Sequence, residues 1–91
     1  MSADRVERIR EALTALQPVR LDIRDDSAKH AGHAGARDGR GHFSVSIVSA
    51  AFDGLSPIQR HKRVYAAMGA LMDTDVHALA IVAKTPAEAG A

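Results

Sequence analysis

The chain has no cysteine and no tryptophan, and only two phenylalanines and one tyrosine among its 91 residues. Each absence removes a class of function. Without cysteine there is no disulfide and no thiolate ligand, which excludes an iron-sulfur or zinc site built from this chain's own cysteines. Phe43, Phe52 and Tyr65 are too few for a single-stranded nucleic-acid platform, where bases stack on several exposed rings. A net charge of +1 is too small for binding driven by whole-molecule charge, so any nucleic-acid contact has to be local. No run of about 18 apolar residues is available to span a membrane. Met1-Ser2-Ala3-Asp4-Arg5 leads straight into a charged helical pattern without an apolar leader, the pattern of a soluble cytoplasmic protein. No cysteine nucleophile, no paired carboxylates in a recognisable catalytic pattern and no phosphate-binding glycine motif are present, so no enzyme is expected.

What is present is histidine. His30, His33 and His42 lie in or beside a glycine-rich stretch, His61 in a basic helical segment and His77 in the last apolar run. Imidazole is the commonest protein ligand for borderline transition metals. A lone histidine beside apolar residues is more often a hydrogen-bonded core residue, so a metal reading depends on several of them converging.

The periodicity describes one domain over residues 1–91. Val6, Ile9, Leu13 and Leu16 recur at helical spacing over Asp4 to Leu16, with Asp4 and Glu7 resembling a capping box. After Pro18, Val19, Leu21 and Ile23 alternate with Arg20, Asp22 and Arg24, the pattern of a half-buried strand. A variable loop follows over about 25–41, carrying the duplicated His30-Ala31-Gly32-His33-Ala34-Gly35; loops beyond about 12 to 15 residues tend to be functional or disordered. Phe43, Val45 and Ile47 alternate with Ser44 and Ser46 in a second strand, which can form a hairpin with the first around that loop. Ser56-Pro57-Ile58-Gln59 is a strong helix start, with Ile58, His61, Val64, Tyr65, Met68, Leu71 and Met72 as its apolar stripe. Arg60, Lys62 and Arg63 crowd the first turns, against the helix dipole. Val76 to Val82 is an apolar strand, with His77 in phase with Leu79 and Ile81 and therefore on the expected core face, and a short polar tail ends the chain. This order suits three strands with helices packed on one face.

Two constellations follow. His30 and His33 on the loop can reach the mouth of His77, but two imidazoles leave a four-coordinate site half filled, so the remaining ligands must come from a partner or a small thiol. Arg60-His61-Lys62-Arg63, behind the turn Phe52-Asp53-Gly54, can contact nucleic acid or a partner in the manner of a helix-turn-helix.

Phe52-Asp53-Gly54-Leu55-Ser56-Pro57-Ile58-Gln59-Arg60-His61-Lys62-Arg63-Val64-Tyr65, together with Val76-His77-Ala78-Leu79-Ala80-Ile81, resembles the BolA family. Asp26-Ser27 with His30, and His42-Phe43, fit the same pattern. The resemblance implies an α+β, class II KH-like fold of order αββααβ, with a short helix near Ala50-Phe52. It further implies a non-enzymatic adaptor that forms a heterodimer with a monothiol glutaredoxin and shares a 2Fe-2S cluster, ligated by His77 and by a loop residue that aligns with His30, His33 competing. Glutaredoxin and glutathione would contribute the thiolates, giving mixed ligation of the Rieske kind. Alone, the protein is expected to be a colourless monomer or weak homodimer. A DNA-binding transcriptional regulator is the alternative that the resemblance offers, and a zinc or copper binder using the loop histidines is a third reading. Two departures stand out: Lys62 replaces a usual arginine, and Arg40-Gly41 precedes His42 where an acidic residue and a hydroxyl are usual.

Overall fold

The computed structural model describes residues 2–27 and 41–90. Helix α1 (Ser2–Leu13) continues into a 3-10 turn (Thr14–Leu16), followed by β1 (Arg20–Asp25), β2 (Gly41–Val48), a 3-10 turn (Ala50–Phe52), α2 (Pro57–Met68), α3 (Leu71–Thr74), β3 (Val76–Lys84) and α4 (Pro86–Ala89). The strands lie in the order β1-β2-β3. β1 and β2 are antiparallel, with Asp25 opposite Phe43, and β3 runs parallel to β2. A parallel pair needs a crossover, which α2 and α3 provide.

Periodicity explains the core. Ile9, Leu13 and Leu16 from the first helical segment, Phe43, Val45 and Ile47 from β2, Phe52, Val64, Met68 and Val76 are all buried together on one face of the sheet. Each such side chain contributes about 1.5–3 kcal/mol by leaving water. Ser49 is buried beside them, and its hydroxyl donates to the Leu16 carbonyl at 2.5 Å while accepting from the Ala51 amide. That bolt joins the 3-10 turn after α1 to the end of β2.

Several boundaries differ from the sequence reading. Asp4 lies inside the first turn of α1, which begins at Ser2, so it is no cap. Val19 precedes β1 and is 65% exposed. The left-handed backbone of Gln17, φ 50°, turns the chain there. The long helix stops at Gly69, whose φ of 55° breaks the phase before Leu71 and Met72. Within α2 the buried positions are Val64 and Met68, whereas Ile58 is 69% and Tyr65 41% exposed and His61 also faces solvent. Two helical stripes compete, and the one with Val64 and Met68 wins because the imidazole and the phenol of the other tolerate water. The expected polar tail contains α4, capped by Thr85, whose hydroxyl accepts from the Glu88 amide at 3.2 Å.

The start of β3 is fastened to α1. Asp75 is buried, and its carboxylate accepts from Arg8 Nη1 at 2.7 Å, with Arg5 Nε 3.5 Å away and the Thr74 hydroxyl donating to Oδ1 at 2.5 Å. Its backbone carbonyl accepts from the Gly41 amide at 2.9 Å. The Thr74 hydrogen bond, then Arg8 and Arg5, hold the carboxyl below its ordinary pKa of 3.8, against burial, which acts the other way.

Two predictions follow from this frame. Folding lowers the Asp75 pKa, so its stabilisation is complete above about 3.8 and is lost as pH falls through the folded value. Asp75→Asn should therefore cost about 1–2 kcal/mol at pH 7, modest because both arginines are partly exposed, and the gap from wild type should close below pH 4 in denaturant titrations. A Cβ at Gly41 would stand 2.6 Å from Phe43 Cε2 and 2.7 Å from Ser27 Oγ. The Phe43 ring is buried and cannot retreat, so Gly41→Ala should lower stability by about 1–3 kcal/mol, read from the unfolding midpoint.

Candidate functional site

Strict alternation along β3 would place His77 inward with Leu79 and Ile81. The register prevents this. Gly41 pairs with Val76 but His42 pairs with Ala78, so His77 is the extra residue of a β-bulge. Val76 is fully buried, Leu79 and Ile81 lie against the same core, and His77 is turned out to solvent. The expected core-face position of His77 is thus corrected: the bulge absorbs one step of the alternation to keep both Val76 and Leu79 inward.

The outward turn brings His77 beside His42. On β2, Phe43 and Val45 point into the core, so His42 and Ser44 lie on the opposite face. The two imidazole centroids are 5.2 Å apart, with planes inclined at 44°. His77 is exposed, while His42 is half-buried with its Nε2 covered. The sequence reading singled out the loop histidines as neighbours of His77 and gave His42 no such place. Its signal was present in the alternation of β2, but the contact depends on the bulge.

The β1 end of the site is latched by Asp26-Ser27. The Asp26 amide donates to the His42 carbonyl at 2.7 Å, and the His42 amide donates to Ser27 Oγ at 3.1 Å. Ser27 N–H donates to Asp25 Oδ1 at 2.8 Å, Arg24 Nε to Asp26 Oδ1 at 2.8 Å, and the Ser44 hydroxyl to the other Asp26 oxygen. Gly41 offers no hydroxyl next to His42, and Ser27 supplies one to its amide. His30 and His33 lie outside the described residues; the flanking residues Ser27 and Gly41 both belong to this end of the sheet.

The basic segment is divided. Arg60 is drawn inward, its side chain 14% exposed, with Nε donating to the Leu55 carbonyl at 2.9 Å and Nη1 to the Ala83 carbonyl at 3.2 Å. Its guanidinium also grips Glu88 at 2.5 and 3.2 Å. That hydrogen bond first, and the Thr85 backbone second, bring the Glu88 carboxyl from 4.5 down to about 2. The cation that opposes the α2 dipole is therefore neutralised by α4. His61, Lys62 and Arg63 remain exposed. Among the described residues, no group of three or more histidines and carboxylates is placed to hold a metal ion, and no helix is long and apolar enough to cross a membrane.

Comparison with known proteins agrees with this fold. The chain is 47% identical over 89 residues to the Arabidopsis thaliana protein BOLA1, chloroplastic, a match covering 93% of this chain and 56% of that protein, so it spans about half the length of this curated relative. It is 41% identical over 76 residues to the DNA-binding transcriptional regulator BolA of Escherichia coli, covering 82% and 70%. The solved BolA domain of SufE1 from Arabidopsis thaliana superposes with a TM-score of 0.79 at 46% identity, covering 90% of this chain and 92% of that one. The family model for BolA-like proteins matches residues 13–88, and the chain with its three-stranded mixed sheet belongs to that family.

Proposed function

We propose that this chain is a non-enzymatic adaptor that pairs with a monothiol glutaredoxin and shares a 2Fe-2S cluster, for cluster trafficking or iron sensing, in the cytoplasm. The observation that carries the reading is the bulge: it turns His77, a residue of an otherwise apolar strand, out to solvent at an edge of the sheet. An imidazole exposed in that way suits a metal held by a second protein. Because the sequence has no cysteine, thiolate ligands have to come from outside it, here from glutaredoxin and glutathione. His77 is assigned as one ligand and His30 as the other, with His33 as its competitor. Two imidazoles and two thiolates together would raise the reduction potential relative to an all-thiolate cluster.

A second reading has a specific observation behind it. Lys62 and Arg63 project from α2 into solvent, and the Escherichia coli relative is named as DNA-binding. Arg60, gripping Glu88, is withdrawn from this surface. A phosphate contact would therefore use two cations of the segment, and log affinity for duplex DNA should fall against log salt with a slope of about −2 instead of the −3 that three contacts give.

The cluster reading is tested by anaerobic co-purification with a monothiol glutaredoxin, with iron content and the visible spectrum recorded together. His77→Ala should abolish the mixed-ligand spectrum while changing stability by no more than about 1 kcal/mol, since the side chain is exposed. An unchanged spectrum removes His77 from the ligand set, and global unfolding assigns it a structural role. His30→Ala should remove the second histidine signal and His33→Ala should keep it; the reverse result exchanges their roles.

A further inference from the structure

We infer that His42 is a positioning residue: its ring is a fixed wall that sets the direction in which His77 presents its imidazole to a metal held by a partner. The inference rests on the reading of His77 as a ligand, and it concerns a different residue. Its first support is the contact itself, with ring centroids 5.2 Å apart and planes tilted by 44°, inside the range of ring packing.

The second support is the contrast in how the two residues are rooted. His42 sits on the central strand, its N–H donating to Ser27 Oγ at 3.1 Å and its carbonyl accepting from the Asp26 amide at 2.7 Å. The ring thus springs from backbone held at both its N–H and its carbonyl. His77 springs from the extra residue of a bulge on an edge strand, where the ladder is interrupted. The His42 ring gives it a surface against which one rotamer is favoured.

Exposure supplies the third support. His77 is open to solvent, while His42 is half-buried with Nε2 covered. A covered nitrogen is badly placed to reach a metal carried in by another protein; a covered ring is well placed to stand behind an exposed one. Ligand histidines are commonly oriented by hydrogen-bonding neighbours, whose loss typically weakens metal binding by about 10- to 100-fold, and a ring packed beside the imidazole restricts its direction in the same sense. Ordering the ligand ring before the metal arrives removes part of the entropy loss on binding.

The experiment compares wild type, His42→Ala and His42→Phe, the last keeping a ring in place without its nitrogens. In the free protein, side-chain coupling constants from NMR should report one His77 rotamer in wild type and His42→Phe, and averaged rotamers in His42→Ala. In the complex with a monothiol glutaredoxin, a chelator should strip the cluster from His42→Ala about 10-fold faster than from wild type, with His42→Phe close to wild type. Should His42→Ala not fold, His42→Val, a strand former without a ring, takes its place. Identical His77 couplings in all variants would overturn the inference. So would loss of the cluster in His42→Phe as complete as in His42→Ala, because that result makes a His42 nitrogen the working group. If wild type forms no shared cluster, the ligand reading of His77 fails instead, and the couplings of the free protein still decide whether His42 holds the ring.

Discussion

The burial of Val76 is the constraint on which the site depends. Parallel pairing with β2 and the anchorage of Asp75 to α1 fix where β3 begins, and the core requires an apolar side chain at that point. Leu79 and Ile81 impose the same requirement further along the strand. Val76 and Leu79 are three residues apart, an odd separation that regular alternation cannot place on one face. One residue must be taken out of register, and it is His77. The outward histidine is thus a consequence of packing as much as of the side chain's own polarity.

The same logic separates what could be read from the sequence from what could not. Ile9, Leu13 and Leu16, the alternation Phe43-Val45-Ile47 and the Ser56–Gln59 capping box are local patterns, and the structure contains all of them. The bulge is not local. It exists only once β2 is laid beside β3, two segments that are distant in sequence, so alternation alone puts His77 on the wrong face and does not show its contact with His42. Helix α4 was legible and overlooked: Thr85-Pro86-Ala87-Glu88 repeats the chemistry of Ser56-Pro57-Ile58-Gln59, with a hydroxyl cap, proline at the first helical position and an acceptor two residues later. On α2 two apolar stripes were available, and composition did not say that the sheet would take Val64 and Met68 and leave Ile58 in water.

Charge is less legible than hydrophobicity because a sequence run hides which cations are already engaged. Arg60, Lys62 and Arg63 look equivalent along the chain, yet Arg60 points back to the Leu55 and Ala83 carbonyls and meets Glu88, while its two neighbours face solvent. Glu88 is half exposed, so salt weakens this ion pair, whereas the two carbonyl contacts are short-range and direct. Arg60 is therefore held inward chiefly by geometry. The unfavourable cation near the α2 N-terminus is a brace between α2, β3 and α4, and it needs no ligand to explain it.

Bracing of the backbone and openness of the ring are combined at one end of the sheet. Asp75 with Arg5 and Arg8 fastens the residue two before His77, while Ser27 with His42 and Asp26 with Ser44 fasten the β1 side of His42, using groups that are not themselves metal ligands in the proposed scheme. In the proposed scheme a chain with no thiolates contributes to an iron-sulfur site by offering imidazoles alongside ligands held elsewhere, and an offered ligand is useful in proportion to how narrowly it is aimed. In that scheme the backbone hydrogen bonds and the neighbouring ring would aim His77 without burying it. Burial would fix the imidazole more firmly but close it to a partner; a wall on one side fixes it and leaves the other side open.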